Sequence, residues 1–220
     1  MSVINNYVPD DVYVQNHSEY GGGVPVWRHQ PSWRMVGGFL SSTFVKGELL
    51  HAASPVEYNA QTHVAKILKC FKVTAVEVSG TNTIISMANK FTTPLLYKGM
   101  NVMVAPSAID GTGKGVLVGD VDVATANTYK ITVATADIDA VAVGSFIVEA
   151  EGAGSGKAMY AQPNTLLAND LVIGDSNTVS IIRKEPASLY RNSMPDLPDV
   201  VLNNITKENP LIEFEYLPEA

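Results

Sequence analysis

Residues 70–79 read CFKVTAVEVS, a run in which apolar and polar side chains alternate. Alternation with a period of two gives a strand one buried face and one face in water. Apolar residues occupy the odd positions up to Val73 and the even positions from Val76 onward. This single change of parity near Ala75 predicts one extra residue, a β-bulge, in an otherwise regular strand.

Similar short runs continue on both sides of this strand, separated by turn residues at roughly the 8–12-residue spacing typical of sandwiches and barrels. The chain holds 27 Val, 13 Ile and 15 Thr but only 15 Leu, and β-branched side chains favour strands. We therefore predict an all-β protein whose core is a short-stranded β-sandwich or barrel. One short helix is predicted at DLPDVVLNN, residues 196–204, with Asp196 as its N-cap.

Composition divides the chain into three parts. Residues 1–36 hold both tryptophans, several prolines and the triplet Gly21–Gly23, which disfavour regular structure and predict an extended N-terminal arm. Residues 37–79 and 152–220 are predicted to form the β core domain. Residues 80–151 are predicted to form a smaller β module inserted into that core.

Charge and cysteine content exclude several classes of protein. Lys and Arg number 15 against 22 Asp and Glu, a net charge of −7, and without a basic cluster we expect no nucleic-acid partner. The single cysteine, Cys70, lies between apolar neighbours and is expected to be a buried small hydrophobe. No secretory signal is visible in residues 1–11, and the most apolar window, residues 131–150, contains acids, so no membrane partner is expected.

Two glycine–lysine motifs resemble phosphate-binding loops but lack required residues. Such a loop needs a glycine five residues before its Gly-Lys pair and Ser or Thr directly after it. For GTGKG, residues 111–115, these positions hold Ala108 and Gly115. For GAGSGKA, residues 152–158, the first position holds Glu151 and the last holds alanine. We expect both motifs to be flexible β-turns that bind no nucleotide.

No spacing typical of catalysis or metal binding occurs elsewhere. The histidines are scattered along the sequence: His17, His29, His51 and His63. They also stand apart from Cys70, so we expect no metal and no other cofactor. Asp137 and Asp139 are expected in a solvated turn, with a weak calcium loop as the less favoured alternative. The chain is therefore not expected to be an enzyme.

A family resemblance is carried by KGELLHAASPVEYNAQTHVAKILKCFKV, residues 46–73. A turn glycine, a strand of small residues, a Pro-Val pair, an Asn turn and an alternating strand follow one another. These features fall at Gly47, Leu50, Ala52, Pro55, Val56, Asn59 and Val64. In this order they resemble the capsid decoration and head-fibre proteins of tailed bacteriophages, including auxiliary capsid proteins of crAss-like gut phages.

Other segments extend the resemblance over residues 37–205. They are residues 68–104 and 144–152, similar to the inserted module, and residues 162–195, similar to the C-terminal block. The final strand at Ile212–Tyr216 fits as well. One departure is that Ala53 or Ser54 stands where these proteins usually have a turn glycine.

The resemblance implies a virion structural protein that binds the capsid exterior, as an auxiliary protein or as the anchor of a head fibre. It implies assembly in the host cytoplasm and the major capsid protein as partner, together with a second copy of the chain or other head proteins. The arm supplies the candidate contacts, because large aromatics and arginines dominate protein interfaces. These candidates are Tyr7, Tyr13, Trp27, Arg28, Trp33 and Arg34.

Three alternatives stay open from the sequence. The arm could fold over its own core instead of docking on a partner. The chain could be a carbohydrate- or receptor-binding β protein of the virion surface, with Trp27, Trp33 and Tyr97 stacking on sugars. It could also be a β-fold enzyme whose site has no recognisable motif.

Overall fold

The computed structural model describes residues 27–29, 36–40, 44–174, 178–182 and 186–215. Within these residues 46% lie in strands and 8% in helices. This strand content confirms the predicted all-β class, which the abundance of Val, Ile and Thr indicates. The finer description as a sandwich or barrel stays a prediction.

Eighteen strands and one α-helix are described, with a short 3-10 turn at Thr135–Asp137. The helix is α1 (Asp199–Glu208). The strands are β1 (Trp27–His29), β2 (Val36–Leu40), β3 (Leu49–Leu50), β4 (Pro55–Asn59), β5 (Val64–Ile67), β6 (Cys70–Ser79), β7 (Asn82–Ala88), β8 (Asn101–Val104), β9 (Thr112–Leu117), β10 (Val121–Asp122), β11 (Thr128–Ala134), β12 (Phe146–Glu149), β13 (Gly154–Ala158), β14 (Thr165–Leu166), β15 (Leu171–Val172), β16 (Thr178–Ile181), β17 (Ala187–Tyr190) and β18 (Ile212–Glu215).

The largest sheet has eight strands in the order β10-β11-β7-β6-β12-β8-β9-β13. Its central strand β6 pairs with β7, and the register of this pair shifts between Val73 and Ala75. The bulge predicted from the change of parity is thereby confirmed. One face of the sheet buries an apolar cluster that includes Phe71, Ile85 and Ile147.

A second sheet has five strands in the order β14-β4-β5-β2-β16, and β3 and β15 form a separate two-stranded ribbon. Their buried side chains form another apolar cluster, which includes Val56, Ile67 and Ile181. The chain passes from this sheet into the eight-stranded sheet through two residues between β5 and β6, Leu68 and Lys69, both buried. This passage positions the site described below.

The third sheet has the order β1-β17-β18, with β17 and β18 parallel. Helix α1 connects back toward β18 and buries Val201 and Ile205. The predicted helix exists, but the predicted N-cap is wrong: the N-cap is Pro198, in an extended conformation. A proline disfavours helical geometry in the residue before it, so the helix begins after Pro198, and Asp196 instead pairs with Lys90 at 2.7 Å.

The eight-stranded sheet crosses both predicted boundaries of the inserted module. It begins at Cys70 in β6 and ends at Ala158 in β13. The division of the chain into arm, core and inserted module stays a prediction, because sheet membership alone does not define a folding unit.

Candidate functional site

Lys69 is the most unusual residue of the described structure, because it is a charged side chain with no exposed surface. Its ammonium Nζ lies 2.5 Å from Oε1 of Glu48, and the two side chains are 0% and 1% exposed. Nζ also donates to the carbonyl oxygen of Leu95 at 3.2 Å. A buried charge is tolerated only when it is paired and hydrogen-bonded in this way.

Two aromatic rings surround the same ammonium. Nζ lies 4.9 Å from the ring centroid of Phe44 and 5.0 Å from that of Tyr97. At these distances a cation is attracted to the face of an aromatic ring. The rings also keep water away from the Lys69–Glu48 pair, which lowers the local dielectric constant.

Glu149 completes the cluster from the neighbouring strand. Strand β12 pairs with β6 so that Val148 faces Cys70, and the N–H of Glu149 donates to the carbonyl oxygen of Lys69 at 3.0 Å. Continuing that register by one residue places Glu149 opposite Lys69, on the same face of the sheet. Glu48 therefore pairs directly with the amine of Lys69, and Glu149 lies close enough for the Lys69 charge to act on its carboxyl group.

A turn before β3 delivers Glu48 to the cluster. Gly47 adopts φ +87, a conformation that glycine accepts far more readily than other residues. The N–H of Glu48 donates to the carbonyl oxygen of Val45 at 2.9 Å, and the N–H of Val45 lies 3.4 Å from Oε2 of Glu48. The turn therefore fixes both the backbone and the carboxylate of Glu48.

Burial shifts the pKa values of the side chains in this cluster. Desolvation raises the pKa of Glu149 to about 7, against the opposing effect of the Lys69 charge. Desolvation also lowers the pKa of Lys69, although Glu48 favours its charged form. Desolvation also raises the pKa of Tyr97, and the nearby charge of Glu149 raises it further. Shifted groups in one buried cluster mark a candidate functional site.

The described histidines do not gather into a site. His51 Nδ1 lies 3.8 Å from Asp170, and its ring packs against Phe91 with centroids 4.6 Å apart. His63 Nδ1 lies 2.8 Å from the hydroxyl of Tyr58. Among the residues that the structure describes, no three His, Cys, Asp or Glu side chains are placed to hold a metal ion.

The two glycine–lysine motifs are strands, so their prediction as flexible turns is wrong. They lie in β9 and β13, which pair so that Lys157 faces Gly113. The glycines allow close packing: a Cβ on Gly115 would collide with the carbonyl oxygen of Gly152, and one on Gly113 would lie 2.6 Å from Asp139 Oδ2.

Asp139 also contacts the β9–β13 pair, because its Oδ2 accepts a hydrogen bond from the N–H of Lys114 at 2.8 Å. An open groove of about 510 Å³ lies beside the pair and is lined by Lys114, Leu117, Asp137 and Ser155, among others. Its lining carries one cation and one carboxylate, so it has no strong preference for a charged ligand.

The predicted capsid contacts fall largely outside the described residues. Tyr7, Tyr13, Trp33 and Arg34 all lie outside them, whereas Trp27 and Arg28 lie in β1, which pairs with β17. The backbone of these last two residues is therefore part of the three-stranded sheet β1-β17-β18.

Two further sequence predictions concern residues at the cluster. Cys70 is buried, as predicted, and burial raises the pKa of its thiol well above the ordinary value. Tyr97, the candidate for sugar stacking, is partly buried and places its ring against Lys69. That contact with the ammonium argues against a free ring for a glycan.

Sequence reasoning missed Lys69, Glu48 and Glu149. One signal was present: Lys69 lies two residues before the buried Phe71, and Glu149 two residues after the buried Ile147. A charged side chain at such a position interrupts the row of apolar residues on the buried face of the strand. Nothing in the sequence indicates that Glu48 joins them.

Comparisons with protein-family models, with curated proteins and with solved structures find no match for this chain. In the part of the chain that the structure describes, no helix has the length and apolar character needed to cross a bilayer. The functional interpretation therefore rests on the residues and their geometry.

Proposed function

We propose that this chain is a virion structural protein that binds the outside of a phage capsid shell, where it reinforces capsomer contacts or anchors a head fibre. The resemblance over residues 37–205 suggests this role. The all-β fold is compatible with it. The observation that carries the proposal is the position of β1.

Strand β1 joins the aromatic arm to the body of the protein at a sheet edge. It is the first strand in the order β1-β17-β18, and its register with β17 slips between Trp27 and His29. An edge strand offers a row of backbone N–H and C=O groups to another chain. The edge position of β1 therefore suits contact with a neighbouring subunit.

The aromatic content of the arm supports docking on energetic grounds. Ordering an extended segment costs considerable conformational entropy. A large aromatic side chain buries roughly 150–250 Å², or about 4–6 kcal/mol before losses. Tyr7, Tyr13, Trp27 and Trp33 together can offset that cost, and repetition over a symmetric shell multiplies a modest affinity for each copy.

Co-sedimentation of the full chain with capsid shells of the encoding phage tests the proposal. We expect the chain to pellet with shells and the Tyr7→Ala/Tyr13→Ala variant to bind at least tenfold more weakly. Phe91→Ala is the matched control, since Phe91 is an aromatic outside the arm and is 56% exposed. This variant should bind normally.

Two outcomes would contradict the proposal at different points. Normal shell binding by the double tyrosine variant would exclude these arm residues as anchors. No binding of the unaltered chain to shells would overturn the function itself. Binding to glycans in place of shells would favour the carbohydrate-binding alternative.

A further inference from the structure

We propose that Lys69 and Glu48 become joined by an intramolecular isopeptide bond, with Glu149 as the carboxyl group that transfers the proton. The inference stands on the buried cluster alone and does not depend on the capsid function. It makes this cluster a site of self-catalysed covalent modification.

The geometry brings the reacting groups together and holds them there. Lys69 Nζ lies 2.5 Å from Oε1 of Glu48, which is bonded to the carboxyl carbon that the amine would attack. The carbonyl oxygen of Leu95 holds Nζ from a second direction, and the turn at Val45 holds the Glu48 carboxylate. Such positioning converts a reaction between two molecules into one within a single molecule.

The apolar surroundings favour the protonation states that the reaction needs. An amine attacks only when neutral, and a carboxyl is attacked more readily when protonated. The reaction first passes one proton from the Lys69 ammonium to the Glu48 carboxylate, and burial, which lowers the pKa of Lys69, favours its neutral amine. The rings of Phe44 and Tyr97 enclose the pair and supply that environment.

The step then balances without an outside reagent. The neutral amine of Lys69 attacks the carboxyl carbon of Glu48 and forms a tetrahedral intermediate. Glu149, as carboxylate, accepts a proton from the attacking nitrogen and returns it to the departing hydroxyl, which leaves as water. The products are one amide bond, one water molecule and a regenerated Glu149 carboxylate.

Glu149 suits the role of proton carrier by position and by acidity. It lies opposite Lys69 on the paired strand, with its backbone N–H bonded to the carbonyl oxygen of Lys69. Its pKa of about 7 keeps both protonation states accessible near neutral pH, which is where a general acid–base group works best.

The bond would tie together two parts of the fold that the sequence separates. It would link the turn before β3 to the start of β6, and so close a loop that contains β3, β4 and β5. A covalent closure of this kind restricts the unfolded chain more than the folded one.

Intact mass of the purified full chain, measured after denaturation, tests the proposal directly. We expect a mass lower than that of the sequence by one molecule of water. Digestion after lysine and arginine should then give one branched peptide in which residues 47–66 are joined to residues 67–72. A full sequence mass, or a branch at any other pair of residues, would overturn the assignment.

Variants separate the roles of the three residues. Lys69→Arg and Glu149→Gln should both show the full mass of their sequences, because one lacks the amine and the other lacks the proton carrier. Lys66→Arg and Glu151→Gln are matched controls close by in the sequence, and both should keep the loss of water. Loss of water in Glu149→Gln would refute the role of Glu149, and the unaltered chain decides the bond even where a variant fails to fold.

Discussion

Lys69 occupies a position that an apolar side chain would ordinarily fill. Its neighbours in sequence, Leu68 and Cys70, are buried, and Phe71 follows on the same strand face. Replacing a buried ion pair by apolar groups often leaves stability unchanged, whereas removing one partner alone is costly. The Lys69–Glu48 pair therefore acts as a unit, and its two members are best altered together.

Glu149 makes a testable contribution to the pH dependence of stability. Its pKa lies at about 7 in the fold against an ordinary value of 4.5, so between these values the folded chain binds more protons than the unfolded chain. The free energy of unfolding then falls as the pH rises through this window, by at most ~3 kcal/mol. Glu149→Gln should remove this part of the slope.

Urea unfolding at about pH 5 and about pH 8 measures the difference between the two chains. The direction holds whether Lys69 is a free cation or an amide, because loss of the cation would raise the Glu149 pKa further. Equal slopes for the unaltered chain and the variant would show that Glu149 does not take up a proton on folding in this range.

The sequence predicts the surroundings of Lys69 only in part. The alternation around β6 predicts a strand, and the parity change predicts its bulge, because both depend on neighbouring residues. The pairing of Lys69 with Glu48 depends instead on a turn 21 residues away, and no local pattern encodes it. Periodicity therefore predicts which face is buried, but not which charges meet there.

At the scale of elements, close packing decides where glycine is required. Strands β9 and β13 approach closely at Gly115, where a Cβ would meet the backbone of Gly152. Gly115→Ala should therefore destabilise the fold by about 1–3 kcal/mol, the usual cost of overpacking. Gly119→Ala is the control, because a Cβ there meets nothing within 4 Å.

Thermal or urea unfolding of the two alanine variants checks this expectation. Gly119→Ala should unfold as the unaltered chain does, within about 0.5 kcal/mol. Equal stability of both variants would mean that β9 and β13 do not pack as closely as described, and that Gly115 is not needed for contact.

Elements were predicted with uneven success, for identifiable physical reasons. The alternating strands were predicted because one of their faces is buried and the other is not. The glycine–lysine motifs of β9 and β13 resemble turns in sequence because glycine has no side chain that could show an alternation. The helix begins two residues later than predicted because its N-cap is a proline, which has no side-chain acceptor that could indicate the start.

At the scale of the whole molecule, β1 is a segment of residues 1–36 that belongs to a sheet of the protein's own body. Its backbone pairs with β17, whose Leu189 is fully buried, so this strand covers an edge of the body. The residues before it hold Tyr7 and Tyr13, to which the proposed function assigns docking. Truncations on either side of β1 therefore have different expected effects.

A chain that begins at Pro25 retains β1, and we expect it to keep the melting temperature of the full chain while losing its binding to capsid shells. A chain that begins at Gly37 lacks β1 and exposes the edge of β17. It should melt lower by a few degrees, since about 1 kcal/mol corresponds to roughly 2–4 °C for a chain of this size.

Calorimetry and co-sedimentation on the same three chains compare both properties at once. A lower melting temperature for the chain beginning at Pro25 would place the early aromatics in the core of the fold, and would exclude them as anchors for a partner. Equal melting of the two truncated chains would show that β1 adds no stability. A chain that begins at Pro25 and still binds shells would move the docking surface from the first 24 residues to β1 or to the sheets behind it.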